Sequence, residues 1–246
     1  MAVYTEIVIG GLKREGAVFV PGLKLRSHVQ RAEAAQEAYW ERFVAGWDRL
    51  RIDQYDPSTE GERRRRYGRM LARKTVGGSY ELLPLAATAF RQSADVIPVY
   101  RGRPRDFAPI EDDTLASPVL HSIVRWDVTV VDATDGLPQE VLLGLHMIRT
   151  IVRHSERRLP APEGRHKDGH RYVAMHLISR RRCRGATSNV YEARATDPSL
   201  SVTLTDPLDT IIVNDGRMEH EVSTLEAAGM RGSRDMLLID FEDGYG

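Results

Sequence analysis

From about residue 165 onward the chain is a succession of short apolar or β-branched segments, RYVAMHLISRR, TSNVYEARA, LSVTLTD, DTIIVNDGRMEHEVSTL and RDMLLIDF, separated by Gly, Pro and Asp. Segments of this length and content read as strands. Asn214-Asp215-Gly216, set between TIIV and RMEHEV, is a hairpin turn signal. RDMLLIDF is apolar on both faces, which suits a strand buried inside a sheet. The C-terminal third is therefore expected to be an antiparallel sheet, and such a sheet needs a second layer to cover its apolar face.

That cover is sought upstream. Ala32, Ala35, Tyr39, Phe43, Trp47 and Leu50 recur at helical spacing and predict an amphipathic helix. STEGERRRRYGRMLARKT follows, with Ser58 or Thr59 as N-cap before Glu62. Its four arginines, Arg63 to Arg66, could face a carboxylate or phosphate substrate, but on a helix they sweep round the axis, so at most one or two share a pocket, and a solvated face with one member paired inside is the expectation. In LPQEVLLGLHMIRTIVRHS, Pro138 fits a first turn and Val141, Leu142, Leu145, Ile148 and Ile151 form an apolar stripe, predicting a second helix. The intervening VIPVYRGRPRDFAPIEDDTLASP reads as irregular connection. The expectation is one α+β domain over 1–246, helix-rich in 1–155, with a β core carrying the site in 160–246.

At 246 residues, with 41% hydrophobic content, the chain can bury a large core. Thirty-five Lys and Arg balance 35 Asp and Glu, which argues against nucleic acid or an anionic membrane as partner. A single cysteine, Cys183, excludes an internal disulfide and any multi-cysteine metal centre. The N-terminus lacks a signal-peptide pattern, so a cytoplasmic protein is expected.

His166 and Asp168 are two positions apart, so on extended backbone both side chains point the same way and can share an ion. His220 and Arg234 follow in other strands. Two histidines and one carboxylate on a β scaffold form the facial triad that leaves positions open on Fe(II), and a buried arginine nearby could clamp a carboxylate. Alternatives remain at this level: a local His166, Asp168, His170 site, a zinc-dependent hydrolase activating water, or a β domain that binds a small ligand without catalysis. His170 is expected to be exposed, and His176 to be a core or pocket-wall histidine.

The order H-x-D, His, Arg resembles that of the iron(II)/2-oxoglutarate dioxygenases. HKDGHRYVAMHLISRRRCRG, LTDPLDTIIVNDGRMEHEVSTLE and RDMLLIDFEDG resemble the bacterial L-isoleucine 4-hydroxylase-like branch of that family, as do the upstream RRRRYGRM, LLPLAATAFRQS and RPRDFAPIEDD. The resemblance implies a distorted double-stranded β-helix, or jelly roll. It implies Fe(II) held by His166, Asp168 and His220, and 2-oxoglutarate paired with Arg234 through its distal carboxylate. With O2, such an enzyme would hydroxylate an unactivated C–H bond of a free amino acid or a small amino-acid-derived metabolite in a biosynthetic role, releasing succinate and CO2. Arg182, in the cluster Arg180, Arg182 and Arg184, and His176 are the expected substrate contacts.

Overall fold

A computed structural model describes residues 2–29, 37–56, 63–92 and 102–242. Its first half runs α1 (Ala2–Glu15), β1 (Ala17–Val20), α2 (Gly22–Val29), α3 (Glu37–Ala45) with a 3-10 turn at Gly46–Arg49, β2 (Arg51–Ile52), β3 (Arg63–Lys74), β4 (Tyr80–Leu85), α4 (Asp112–Leu115), α5 (Pro118–Asp135) and β5 (Glu140–Arg153). The second half is all strand: β6 (Arg157–Arg158), β7 (Tyr172–Arg181), β8 (Cys183–Gly185), β9 (Thr187–Glu192), β10 (Leu200–Thr203), β11 (Thr210–Val213), β12 (Met218–Val222), β13 (Leu225–Ala227) and β14 (Arg231–Phe241).

The large sheet has the order β1-β11-β7-β14-β5-β3-β2, with β4 also paired to β3. A smaller sheet, β10-β9-β12, faces part of it, and β6-β13-β8 forms a third. Strand alternation gives the large sheet two chemically different faces. On β14, Leu237, Ile239 and Phe241 join Leu143, Leu145 and Met147 of β5 in a core shared with the helices. Met236 packs instead with Leu177, Val190, Ile211 and Met218 between the two sheets. Helix α5 lies against the outer face and is buried along most of its length, with α1, α2 and α3 packed on it. Phe43, Trp47 and Leu50 are buried in that layer as their spacing predicts, whereas Tyr39 is exposed. Ala32, Ala35, Ser58, Thr59 and Glu62 lie outside the described residues.

Three expectations need correction. Residues 63–74 and 140–153 are long strands, paired to each other from Arg63↔Thr150 to Arg73↔Glu140, so 1–155 is not mainly helical. Covered by helices on one side and the inter-sheet space on the other, β5 is buried on both faces, and a continuous apolar run satisfies both helical and strand periods. The helix at 118–135 falls where no element is expected, because its Val-rich content carries a weak helical signature. The turn at Asn214 exists, with Arg217 and Met218 amides donating to the Asn214 carbonyl. It does not make a hairpin, however: β11 pairs with β1 and β7, while β12 pairs with β9. The turn is a corner that carries the chain from one sheet to the other.

No helix among the described residues is long and apolar enough to cross a membrane.

Candidate active site

Between the large sheet and β9–β12 lies a cavity lined by residues from both. Four strands of the large sheet contribute alternate side chains: Arg63 and Arg65 from β3, His146, Ile148 and Thr150 from β5, Met175 from β7, and Arg234, Met236, Leu238 and Asp240 from β14. At one end His166, Asp168 and His220 converge, with one ligand atom from each lying within 4.8 Å of the others. His166 Nε2 is 3.5 Å from Asp168 Oδ1, and His220 Nε2 is 3.3 Å from Asp168 Oδ2.

Backbone and second-row contacts hold this cluster. His166 and His220 form an isolated antiparallel bridge, each amide donating to the other's carbonyl at 3.0 and 2.8 Å. The corner residue Asp215 accepts the amides of Asp168, Gly169 and His170, which ties the loop before β7 to the start of β12. Gly169 has φ 84°, a left-handed conformation that suits glycine. His166 Nδ1 donates to the Gly164 carbonyl at 2.7 Å, so its Nε2 is the atom left to offer a lone pair. Gln92 Nε2 donates to Asp168 at both its carbonyl and Oδ1, while its own carbonyl accepts from Arg105.

The electrostatics are those of a cation site. Burial opposes the charge on His166, but hydrogen bonding and attraction to Asp168 outweigh it and lift its pKa to about 9. Burial likewise opposes the Asp168 carboxylate, yet its bonds to His166 and His220 hold it well below the usual range. The three groups thus keep a carboxylate charged inside a protein by supplying positive partners, and a divalent ion can take the place of those protons. Two imidazole nitrogens and one carboxylate on one side of an open cavity match the donor set of a non-haem Fe(II) centre.

Arg234 lies on the same cavity wall and is buried. It makes no side-chain hydrogen bond or ion pair among the described residues, and its Nε is a buried donor without a partner. Burial and the nearby charge of Arg180 lower its pKa to about 10, so it is still a cation at neutral pH.

Two expected substrate contacts are not brought here. His176 points to the opposite face of β7, where its ring bonds Asp127 of α5 and Thr210, each at 2.8 Å. Strand alternation decides this, since Met175 takes the cavity side. Arg182 occupies the exposed link between β7 and β8, with φ 47°, and does not line the cavity. His170 is also not solvent-facing: it turns toward Asp240, 3.4 Å away. Asp215, Gln92, His146 and Asp240 are site residues that the sequence reading did not single out, and Arg65 entered only as one of the run Arg63 to Arg66. Of these only Asp215 had a local signal, as part of the turn.

The sequence profile of the 2OG-Fe dioxygenase family matches residues 44–240. The chain belongs to that family. Among related proteins, the L-isoleucine-4-hydroxylase of Bacillus thuringiensis is 25% identical over 143 residues; the match spans 57% of this dioxygenase and 59% of that protein's length. Among solved structures, a BsmA homologue from Methylobium petroleophilum superposes with a TM-score of 0.84 at 19% identity, covering 98% of this chain and 93% of the other. IDO from Bacillus thuringiensis gives 0.77 at 18% identity, covering 98% and 96%. The Fe(II)/α-ketoglutarate-dependent dioxygenase TqaL gives 0.77 at 13%, covering 99% and 88%. The shared fold is the jelly roll that the family resemblance implied. As a 2OG-Fe dioxygenase the protein uses Fe(II), 2-oxoglutarate and O2.

Proposed function

We propose that this dioxygenase hydroxylates an unactivated C–H bond of a free amino acid or a small amino-acid-derived metabolite. One oxygen atom of O2 enters succinate as 2-oxoglutarate loses CO2, and the other becomes the hydroxyl of the product. In this reading His166, Asp168 and His220 hold Fe(II), and Arg234 receives the distal carboxylate of 2-oxoglutarate. Bound Fe(II) supplies O2 activation coupled to the oxidative decarboxylation of the keto acid. The chain's own part is to bind and orient: Gly164 fixes the His166 imidazole, Asp215 places its carboxylate 3.8 Å from His220 Nδ1, Gln92 fixes the carboxylate of Asp168, and the apolar wall of Met175, Val190, Met236 and Leu238 limits water around the reacting carbon.

The observation that carries the reading is Arg234, a buried guanidinium with no hydrogen-bond or ion-pair partner among the described residues, in the same cavity as a His/Asp/His cluster. A water-activating hydrolase would leave that cation without a role. The 25%-identical L-isoleucine-4-hydroxylase supports the amino-acid class of substrate. Anaerobic titration with Fe(II) and 2-oxoglutarate tests the assignment. A weak visible charge-transfer band that saturates is expected, and amino acids that perturb it should also stimulate succinate release. Tight zinc binding without any such band would overturn it.

A further inference from the structure

The run Arg63 to Arg66, read as a strand, aims only alternate members into the cavity. Arg63 is committed, with its Nε 2.7 Å from the buried carboxylate of Asp53. Arg66 faces the other way and is spent on the carbonyls of Arg49 and Pro109 and on Glu111. Arg65 is different. It lines the cavity and is buried, yet it forms no ion pair among the described residues. Among those residues it makes one hydrogen bond, from Nη2 to His146 Nδ1 at 2.6 Å, and its Nε is a buried donor with no acceptor there. Its guanidinium lies 4.2 Å from the ring centre of Phe107 and 5.5 Å from that of Phe90.

A guanidinium has donors only, so His146 Nδ1 must accept, and its Nε2–H then donates to Asp240 at 2.7 Å. His146 is therefore neutral, and the ring that contacts Arg65 brings no negative charge to it. A cation held against aromatic faces with donors unspent is costly until an anion arrives, and its planar fork fits a carboxylate.

Arg65 and Arg234 stand at different places on the cavity wall. Arg234 is opposite Thr150 on β5, and Thr150 is opposite Arg63 on β3. Arg65 therefore sits one strand beyond β5 and two residues along. Strand spacing and rise then separate its Cα from that of Arg234 by roughly 12 Å. The cavity wall thus carries two arginines, on different strands, beside the metal-type cluster.

We propose that Arg65 receives the carboxylate of the substrate, so that the enzyme acts on molecules bearing a free carboxylate and not on the corresponding amides, esters or thioesters. This rests on the oxygenase reading above, in which Arg234 is occupied by 2-oxoglutarate. Phe90 and Phe107 form the aromatic platform under the carboxylate, and Arg105, bonded to Gln92 and 4.9 Å from the Phe90 ring centre, closes its outer side. The role expected of Arg182 moves to Arg65.

The test uses the complete protein loaded anaerobically with Fe(II) and 2-oxoglutarate, and reads the charge-transfer band as a panel of L-amino acids and their carboxamides is added. If no band forms at the start, the oxygenase reading itself has failed, and the Arg65 proposal with it. Once the band is present, the free acids are expected to perturb it at concentrations at least tenfold lower than the matching amides. In Arg65→Gln that preference should collapse toward unity, and in Arg65→Lys it should survive in part. Equal response to acids and amides in the unaltered protein overturns the proposal without any variant, as does a panel in which no acid perturbs the band. A full acid preference retained in Arg65→Gln also overturns it.

Discussion

Replacing Asp168 with alanine removes the carboxylate that lies between two imidazoles, while the backbone of the loop stays tied by Asp215 through three amides. Asp168→Ala should therefore keep the fold and lose the Fe(II)-dependent band and succinate formation; full turnover in that variant would reject the ligand assignment. Arg234→Gln keeps an amide donor and loses the charge. A charged hydrogen-bonded pair is worth about 2–3 kcal/mol, so half-saturation by 2-oxoglutarate should rise on the order of 100-fold. An unchanged requirement for 2-oxoglutarate would move the clamp to another residue.

Elements decide what each residue can do, and here the sequence was only partly legible. The strands from β7 to β14 were readable because short apolar segments between Gly, Pro and Asp have few other solutions. The His166–Asp168 pair, weak by its spacing alone, was readable because His220 and Arg234 downstream complete the order seen in a known family. Strands β3 and β5 were not, since covering both faces erases the alternation that marks a strand. The error had a chemical consequence: on a helix the four arginines of β3 spread round an axis, whereas on a strand two of them enter the cavity. Facing also decides His176, which takes the hydrogen-bonded core place expected for it and not the substrate contact. It bonds α5 to the sheet through Asp127, whose carboxyl pKa is raised by burial, with His176 pulling it back down. His176→Ala strands that carboxylate in the core and should cost about 3–5 kcal/mol, seen as a lower thermal midpoint. The Fe(II) and 2-oxoglutarate band should still saturate at unchanged concentrations, and a selective loss of substrate response would restore a pocket role.

At the scale of the whole molecule, pH acts through His146. Burial, then the charge of Arg65, holds its pKa down to about 4 in the folded state, against 6.5 for an ordinary histidine. Between those values the unfolded chain binds a proton that the folded chain does not, so stability rises with pH across that window. The contribution is complete above 6.5 and is lost as the pH falls toward 4. His166, lifted to about 9, acts in the opposite sense, so the His146 contribution is read as a difference between proteins: from pH 5 to pH 7.5 the urea midpoint of His146→Gln should gain less than that of the unaltered protein. A slope unaltered by that substitution would place the acid sensitivity elsewhere.

Strand β14 pairs with β7 on one side and β5 on the other, yet it is translated after every other strand. While a ribosome is still making the residues before 231, the nascent protein holds two half-sheets with β5 and β7 as bare edges, both long and apolar. Such edges invite pairing with other chains. Productive folding therefore waits for β14, and a chain ending at residue 230 should accumulate as insoluble protein. Supplying residues 231–241 as a separate peptide during refolding should rescue it.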